Sequence, residues 1–253
     1  MGQEMKFRVI PSILTDKQTV VKGENFNNWR TVGMAHATAM LFAKRSVDEL
    51  IFLDVNANQT DSTMPIQLVE SFSSLLDIPF AIGGGIKNLT TATNLLRLGA
   101  EKVVIGSEAI ENPKFITELA ETFGSQAVVV SIDAANLDGT EIALNSGNRI
   151  ISKSCLEVAE HMQDLGAGEI ILQSLLHDGL MKGMSWNLIE QVCNRLSVPV
   201  LASSGASQGA DFLKAYELGA SGVVAGAIFQ FTENTPQSIT EFLRSEKVPV
   251  RNL

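Results

Sequence analysis

Eight short runs rich in β-branched and other apolar residues recur along the chain, separated by amphipathic segments with helical spacing. A strand–helix alternation repeated in this way predicts a parallel sheet with helical crossovers, and eight units close naturally into a (β/α)8 barrel. The 253 residues suit one barrel, so we expect a single domain over residues 1–253. The predicted strands are Phe7–Ile13, Leu50–Asn56, Phe80–Gly84, Lys102–Gly106, Ala127–Asp133, Ile170–Gln173, Val200–Ser203 and Gly222–Gly226. The clearest predicted helices are Thr90–Leu98, Lys114–Phe123, Leu156–Leu165 and Ala210–Leu218.

The second half of the sequence repeats the first at a separation of 120 residues. A constant separation over several motifs indicates an internal repeat rather than chance likeness among βα units. We therefore expect two half-barrels related by a pseudo-two-fold axis, each with a version of the other's site. The matched positions include Glu49 and Glu169, Gly85 and Gly205, Gly106 and Gly226, and the Leu-Gly-Ala triplets that begin at Leu98 and Leu218.

Composition and charge argue against several classes of protein. The net charge is −9 and no basic stripe is present, which argues against nucleic acid or an anionic membrane surface as the partner. No apolar run reaches the roughly 20 residues that a membrane-spanning helix needs. Pro11 interrupts the short apolar stretch near the N-terminus, so we expect no signal peptide and a cytoplasmic protein. The two cysteines, Cys155 and Cys193, and the scattered histidines show no metal-ligand spacing, so we expect no metal or cofactor.

Glycine-rich segments follow the third and fourth strands and recur after the seventh and eighth. Glycine at these positions lets backbone N–H groups approach an anion, and barrels commonly bind phosphate after strands seven and eight. Two mirrored sets predict a phosphorylated small molecule with an anion site in each half. The alternative is that these glycines only turn the chain. The first set is Gly84, Gly85, Gly106 and Ser107, and the second is Asp178, Gly179, Ser204, Gly205, Gly226 and Ala227.

Segments spread over essentially the whole chain resemble the cyclase subunit of imidazole glycerol phosphate synthase. They are RVIPSI, VVKGENFNN, VDELIFLDV, IPFAIGGGIKN, FGSQAVVVSIDA, LGAGEI, HDG and VPVLASSGA. In that family the barrel receives ammonia from a separate glutaminase subunit, conducts it through the barrel interior and closes an imidazole ring in histidine biosynthesis. The resemblance implies a glutaminase partner in a heterodimer. It also matches Lys22 to a loop lysine that reaches a ligand phosphate.

One of the two catalytic aspartates implied by the resemblance is missing. The family's general acid and base end strands one and five, and the matching positions here are Leu14 and Asp133. Leucine cannot carry a proton, and general acid–base help contributes about 10²–10⁴-fold per group, so ring closure should be nearly lost. Asp16 lies two residues on, where the family motif places no catalytic carboxylate. Further departures from the family pattern are Asn56, Gly106, Ser107, Gln173 and Leu175-Leu176-His177.

Charged residues begin several of the inward-facing rows of the predicted strands. Period-two alternation places Arg8, Glu49, Lys102 and Glu169 inside the barrel at its N-terminal end. Isolated buried charges are costly, so these four should pair. The resemblance assigns them to a gate through which ammonia enters, and assigns the neighbouring Glu101 to the face that meets the glutaminase. The alternative is a salt-bridge plug that only closes the barrel.

Three functions fit this pattern. The first is an ammonia-channelling subunit of a glutamine amidotransferase, like relatives in surface-polysaccharide (O-antigen) loci that work with a separate sugar amidotransferase and carry an apolar residue in place of the first aspartate. A scaffold that activates a glutaminase is a close variant of it. The second is an authentic cyclase subunit in histidine biosynthesis. The third is a sugar-phosphate isomerase of the related half-barrel family, which uses two aspartates and no ammonia; Leu14 and the charged ring count against it.

Overall fold

The computed structural model describes residues 6–45, 47–60 and 62–251. The strands within these ranges are β1 (Arg8–Asp16), β2 (Thr19–Glu24), β3 (Asn27–Met34), β4 (Leu50–Asp54), β5 (Phe80–Gly83), β6 (Lys102–Ile105), β7 (Val128–Ala134), β8 (Ile142–Leu144), β9 (Arg149–Ile151), β10 (Glu169–Ser174), β11 (Val200–Ser203) and β12 (Gly222–Ala225). The helices are α1 (Ala35–Ala43), α2 (Ala57–Thr60), α3 (Ile66–Leu75), α4 (Leu89–Arg97), α5 (Ser107–Glu111), α6 (Lys114–Phe123), α7 (Cys155–Asp164), α8 (Trp186–Cys193), α9 (Gly209–Glu217), α10 (Ala227–Phe231) and α11 (Pro236–Ser245). Short 3₁₀ turns cover Ser125–Ala127 and Leu175–His177.

Eight of the strands form a closed parallel barrel in the order β1-β4-β5-β6-β7-β10-β11-β12, with β12 pairing back to β1. The predicted (β/α)8 barrel is therefore confirmed. The four predicted helices lie within one residue of α4, α6, α7 and α9. The first strand runs to Asp16, three residues beyond its predicted end, because it continues into a hairpin.

The remaining strands form two antiparallel hairpins at the carboxyl end of the barrel, here called the mouth. The β2–β3 hairpin follows β1, and the β8–β9 hairpin follows β7 at the mirrored place in the repeat. Left-handed backbone at Asn25 and Asn145 turns the two hairpins, a conformation that asparagine tolerates better than most residues. The sequence pattern predicted no strands here.

The strand registers confirm the internal repeat. Leu50 lies opposite Phe80 in β4 and β5, and Ile170 lies opposite Val200 in β10 and β11, which is a separation of 120 residues. The same separation relates the pairing of β5 with β6 to that of β11 with β12.

The repeat slips by one residue at β1 and β7. Leu14 lies opposite Leu53, and Asp133 lies opposite Gln173, so the mirror position of Leu14 is Asp133, 119 residues away. The two positions matched to the catalytic aspartates of the family are therefore structural equivalents in the two halves.

Two apolar layers hold the barrel. The larger lies between the strands and the surrounding helices. The smaller fills the barrel interior with one apolar side chain from each strand, in the layered manner of such barrels. It consists of Ile10, Ile51, Ala81, Val104, Val129, Ile171, Leu201 and Val224. No helix in the described ranges is long and apolar enough to cross a membrane.

Candidate functional site

Two adjoining cavities open at the mouth of the barrel, and Leu14, Leu53 and Gln173 line both. We call them the first-half and second-half cavities after the repeat that supplies most of their walls. The residues predicted to bind anions line both cavities, and the two predicted sets lie apart. The first-half cavity contains Gly84, Gly85, Gly106 and Ser107. The second-half cavity contains Lys22, Asp178, Gly179, Ser204, Gly205, Gly226 and Ala227.

Asp133 projects into the first-half cavity near the end of β7. Burial raises the pKa of its carboxyl to about 7, and the Asp178 carboxylate adds to the rise, whereas a hydrogen bond from Ser131 Oγ at 3.1 Å opposes it. A carboxyl with a pKa near neutrality can hold and release a proton under physiological conditions. The mirror position offers only the alkyl side chain of Leu14.

Asp16 does not replace the missing carboxylate. It lies opposite Thr19 where β1 turns into the hairpin, and it is not among the residues that line the two mouth cavities. Asp54, at the end of β4, does line the first-half cavity, and burial raises its pKa. Its Oδ1 accepts a hydrogen bond from the Asn56 backbone at 3.1 Å. Sequence reasoning missed Asp54, although a polar residue at the carboxyl end of a barrel strand is a signal of function.

Lys22 is buried at the edge of the second-half cavity, with 5% of its surface exposed. Burial lowers its pKa to about 8, against the opposing effect of the Asp178 carboxylate. Its single hydrogen bond among the described residues is a long one, 3.4 Å from Nζ to the Ser12 carbonyl. An ammonium group has three donors, so donors remain for a ligand. Gly226 makes this approach possible, because a Cβ there would lie 2.1 Å from the Lys22 nitrogen.

The β2–β3 hairpin lies across the mouth. The Asn25 backbone N–H donates to the Asp178 carbonyl at 3.0 Å, and the Asn25 side chain donates to the Leu175 carbonyl at 2.9 Å. The same hairpin brings Phe26 and Trp29 to the wall of the first-half cavity. Sequence reasoning missed Phe26 as a site residue because its position depends on a hairpin that the pattern did not predict.

A closed ring of ion pairs lies at the opposite, N-terminal end of the barrel. Arg8 Nη1 is 3.1 Å from Glu49, and its Nη2 contacts Glu169. Lys102 Nζ is 2.8 Å from Glu49 and 3.1 Å from Glu169. Each carboxylate therefore bridges both cations, and the predicted pairing of these four residues is present. Glu101, next to Lys102, is exposed.

The remaining candidate residues fall outside both cavities. His177 Nδ1 lies 2.8 Å from Ser174 Oγ, and burial lowers the pKa of its imidazole. Cys155 and Cys193 are free thiols, and burial raises the pKa of each to about 12. In the part of the chain that the structure describes, no three His, Cys, Asp or Glu side chains are grouped to hold a metal ion.

These features define the class of the protein. It is a (β/α)8 barrel of two repeated halves, with a ring of ion pairs at its N-terminal end and two adjoining cavities at its mouth. Residues 8–235 match the model of the histidine biosynthesis protein family. The chain belongs to that family, within the cyclase subunit family of imidazole glycerol phosphate synthase.

Named relatives cover nearly the whole chain. It is 37% identical over 245 residues to the imidazole glycerol phosphate synthase subunit HisF of Thermotoga sp. (strain RQ2), covering 96% of this chain and 97% of the relative. It is 38% identical over 246 residues to the HisF subunit of Streptomyces griseus, covering 96% and 98%. A Campylobacter jejuni protein with the provisional name imidazole glycerol phosphate synthase subunit hisF2 is 34% identical over 249 residues, covering 98% and 100%.

Proposed function

We propose that this chain is an ammonia-channelling subunit of a glutamine amidotransferase and that it supplies ammonia for amidation of a surface-polysaccharide sugar. In this proposal it pairs with a glutaminase at its N-terminal face and works beside a separate sugar amidotransferase in the cytoplasm. The observation that carries the proposal is the contrast between the complete ion ring and the replacement of one catalytic carboxylate by Leu14.

The ion ring supports the ammonia gate. Arg8, Glu49, Lys102 and Glu169 close the N-terminal end of the barrel, and their charged groups are at most about one-fifth exposed. Buried charges are expensive to keep, and an apolar layer could close the barrel at lower cost. In this proposal, movement of the Arg8 or Lys102 side chain opens the ion ring to ammonia. A neutral ammonia molecule could then cross the small apolar layer that includes Ala81.

The second-half cavity supports a phosphorylated ligand. Lys22 holds unused donors there, and the backbone at Gly179 and Gly205 has positive φ values of 73° and 93°, which L side chains rarely adopt. Glycine at both positions lets the backbone approach a ligand closely. We propose that the phosphate rests between Lys22 and these glycine loops.

A second candidate is an authentic cyclase subunit in histidine biosynthesis. Two observations favour it. The named relatives are HisF subunits, and Asp133, with a pKa of about 7, is suited to acid–base work. It requires a proton carrier at the position of Leu14 that the described residues of the two cavities do not offer.

Reversal of a charge on the N-terminal face tests the glutaminase interface. Glu101→Arg should weaken co-purification with a co-expressed glutaminase at least tenfold, because it reverses a charge on the proposed interface and so disturbs its electrostatic complementarity. Glu24→Arg is the matched control, since Glu24 is also exposed but lies on the hairpin at the mouth. Unchanged binding by Glu101→Arg would assign the partner to another face. Polysaccharide genes beside the coding gene would favour the first function, and histidine genes the second.

A further inference from the structure

The two mouth cavities differ in the charged groups that line them. The first-half cavity is lined by the carboxyl groups of Asp54, Glu108 and Asp133, and its described lining residues include no Lys, Arg or His. The second-half cavity is lined by Lys22 and the single carboxyl group of Asp178. Two identical half-barrels would offer the same charged groups to both ends of a ligand. The two halves of this chain offer different ones.

Glu108 adds a carboxyl group to the first-half cavity beside the glycine loop that the sequence predicted to bind an anion. It lies in the first turn of α5, directly after Gly106 and Ser107, and its mirror position in α10 is Ile228. A carboxylate at this place repels an anionic ligand that would approach the same loop. The Ser107 hydroxyl is also engaged, because it accepts a hydrogen bond from the Asn145 backbone at 2.8 Å.

The second-half cavity keeps unsatisfied polar groups. Ser204 is buried, with 8% of its surface exposed. Its hydroxyl makes no hydrogen bond of ordinary length and angle to a described residue. It lies close enough to the Asp178 carboxyl group to lower the pKa of that group through a weak hydrogen bond. Lys22 has donors to spare, as described above. Buried polar groups without partners are rare and indicate a missing ligand or water.

We infer that the ligand of the mouth carries one phosphate, held in the second-half cavity by Lys22 and Ser204, and that its other end is not anionic. This inference rests on the proposed function and names the substrate class of the same site. It replaces the expectation from sequence of an anion site in each half. A dianion in the first-half cavity would face three carboxyl groups and no compensating cation, an arrangement that strongly opposes binding.

A hydroxyl-bearing ring suits the first-half cavity. Trp29 and Phe26 supply apolar faces, and Asp54, Glu108 and Asp133 supply oxygen acceptors for hydroxyl groups. The cavities adjoin through Leu14, so one molecule can extend from the phosphate end to the uncharged end. The inferred substrate class is a sugar monophosphate or a related polyol monophosphate.

Counting bound phosphate tests the inference on the chain alone, with inorganic phosphate as the probe. We expect calorimetric titration to give one phosphate per chain and crystals soaked in phosphate to show it only beside Lys22. Glu108→Gln combined with Asp54→Asn leaves Asp133 as the one carboxyl group among the described lining residues, and it should bind a second phosphate in the first-half cavity with affinity at least tenfold above that of the unmodified chain. Lys22→Met should lower the affinity of the second-half cavity for phosphate by a similar factor. The matched control is Glu111→Gln, which changes the same helix at its outer ion pair with Arg149 and should leave the count at one.

Phosphate in both cavities of the unmodified chain would overturn the inference, and so would phosphate in neither. A first-half cavity that stays empty in a folded variant with both Asp54→Asn and Glu108→Gln would overturn the charge argument. Because no glutaminase, glutamine or ammonia is present, these results are independent of the proposed ammonia channel. Failure of the proposed glutaminase interface would appear only in the co-purification experiment.

Discussion

The two ends of the barrel use the internal repeat differently. At the N-terminal end, the mirrored residues Glu49 and Glu169 keep the same role, each bridging Arg8 and Lys102. At the mouth, the mirrored positions differ: Leu14 carries an alkyl group and Asp133 a carboxyl group. The residues opposite them on the neighbouring strands, Leu53 and Gln173, also differ.

The difference separates two requirements that a working cyclase combines. Under the proposed function, ammonia enters through charged groups that pair with one another, and every member of the ring has its partners in place. Ring closure depends on two proton carriers facing each other across the mouth, and one of them has become an alkyl group. A complete ion ring together with Leu14 at the mouth is the arrangement that the proposed function, delivery of ammonia onward, would require.

Removal of one ring carboxylate should have the largest effect on stability. Glu49→Ala leaves Arg8 and Lys102 short of a counter-charge, and breaking a buried pair costs roughly 3–5 kcal/mol. We expect the free energy of unfolding to fall by about 3 kcal/mol, near the lower end, because Arg8 and Lys102 are partly exposed. Chemical denaturation measures it.

The matched control for this variant is Glu101→Ala on the same face. Glu101 is exposed, so the change should be within about 0.5 kcal/mol. Equal losses for the two variants would show that the ring is no more important to the fold than an ordinary surface charge.

At the mouth, Asp133→Asn should stabilise the protein in a pH-dependent way. The carboxyl has a pKa of about 7 in the folded chain and about 3.9 when unfolded, so the folded state binds its proton more tightly. The associated stability is fully present below about pH 4 and is lost as the pH rises through 7. We expect the variant to be more stable than the unmodified protein by about 1–3 kcal/mol at pH 8 and nearly equal to it at pH 4.

Thermal or chemical unfolding across this pH range provides the measurement. A difference between the two proteins that does not vary with pH would mean that Asp133 titrates normally. The contrast between the ion ring, in which each charge is paired, and a buried carboxyl group with a raised pKa at the mouth would then fail for the mouth.

The hairpin over the mouth should give the smallest effect. Asn25→Gly keeps the left-handed backbone and removes the hydrogen bond to the Leu175 carbonyl, at a cost of about 1 kcal/mol. Hydrogen exchange should rise in β2 and β3 and remain unchanged in the barrel strands. Equal acceleration in both would show that the hairpin and the barrel open as one unit.

Much of the barrel could be predicted because its determinants are local and repeated. Strand–helix alternation predicted eight strands, and the separation of 120 residues predicted their pairing in two halves. The ion ring followed from period-two alternation, since each charge begins an inward row. The one-residue slip between β1 and β7 escaped prediction because the repeated motifs lie in the other strands.

The residues that line the two cavities could not all be predicted, because some of them lie on hairpins that the sequence pattern does not indicate. Phe26 and Ser146 reach the first-half cavity from the two hairpins, whose strands are short and partly polar. Glu108 reads in the sequence as an ordinary first-turn acid of a short helix. Only the fold places it beside Asp54 and Asp133 in one cavity.

Turnover of the purified chain with ammonium salts and the ring-closure substrate of the family tests the central claim most directly. Ammonium removes the need for a glutaminase, so the assay reports only the chemistry at the mouth. With Leu14 opposite Asp133, we expect cyclase activity at least about 10²-fold below that of the Thermotoga sp. HisF subunit measured alongside. Turnover within about tenfold of that relative would contradict the account and return this chain to histidine biosynthesis.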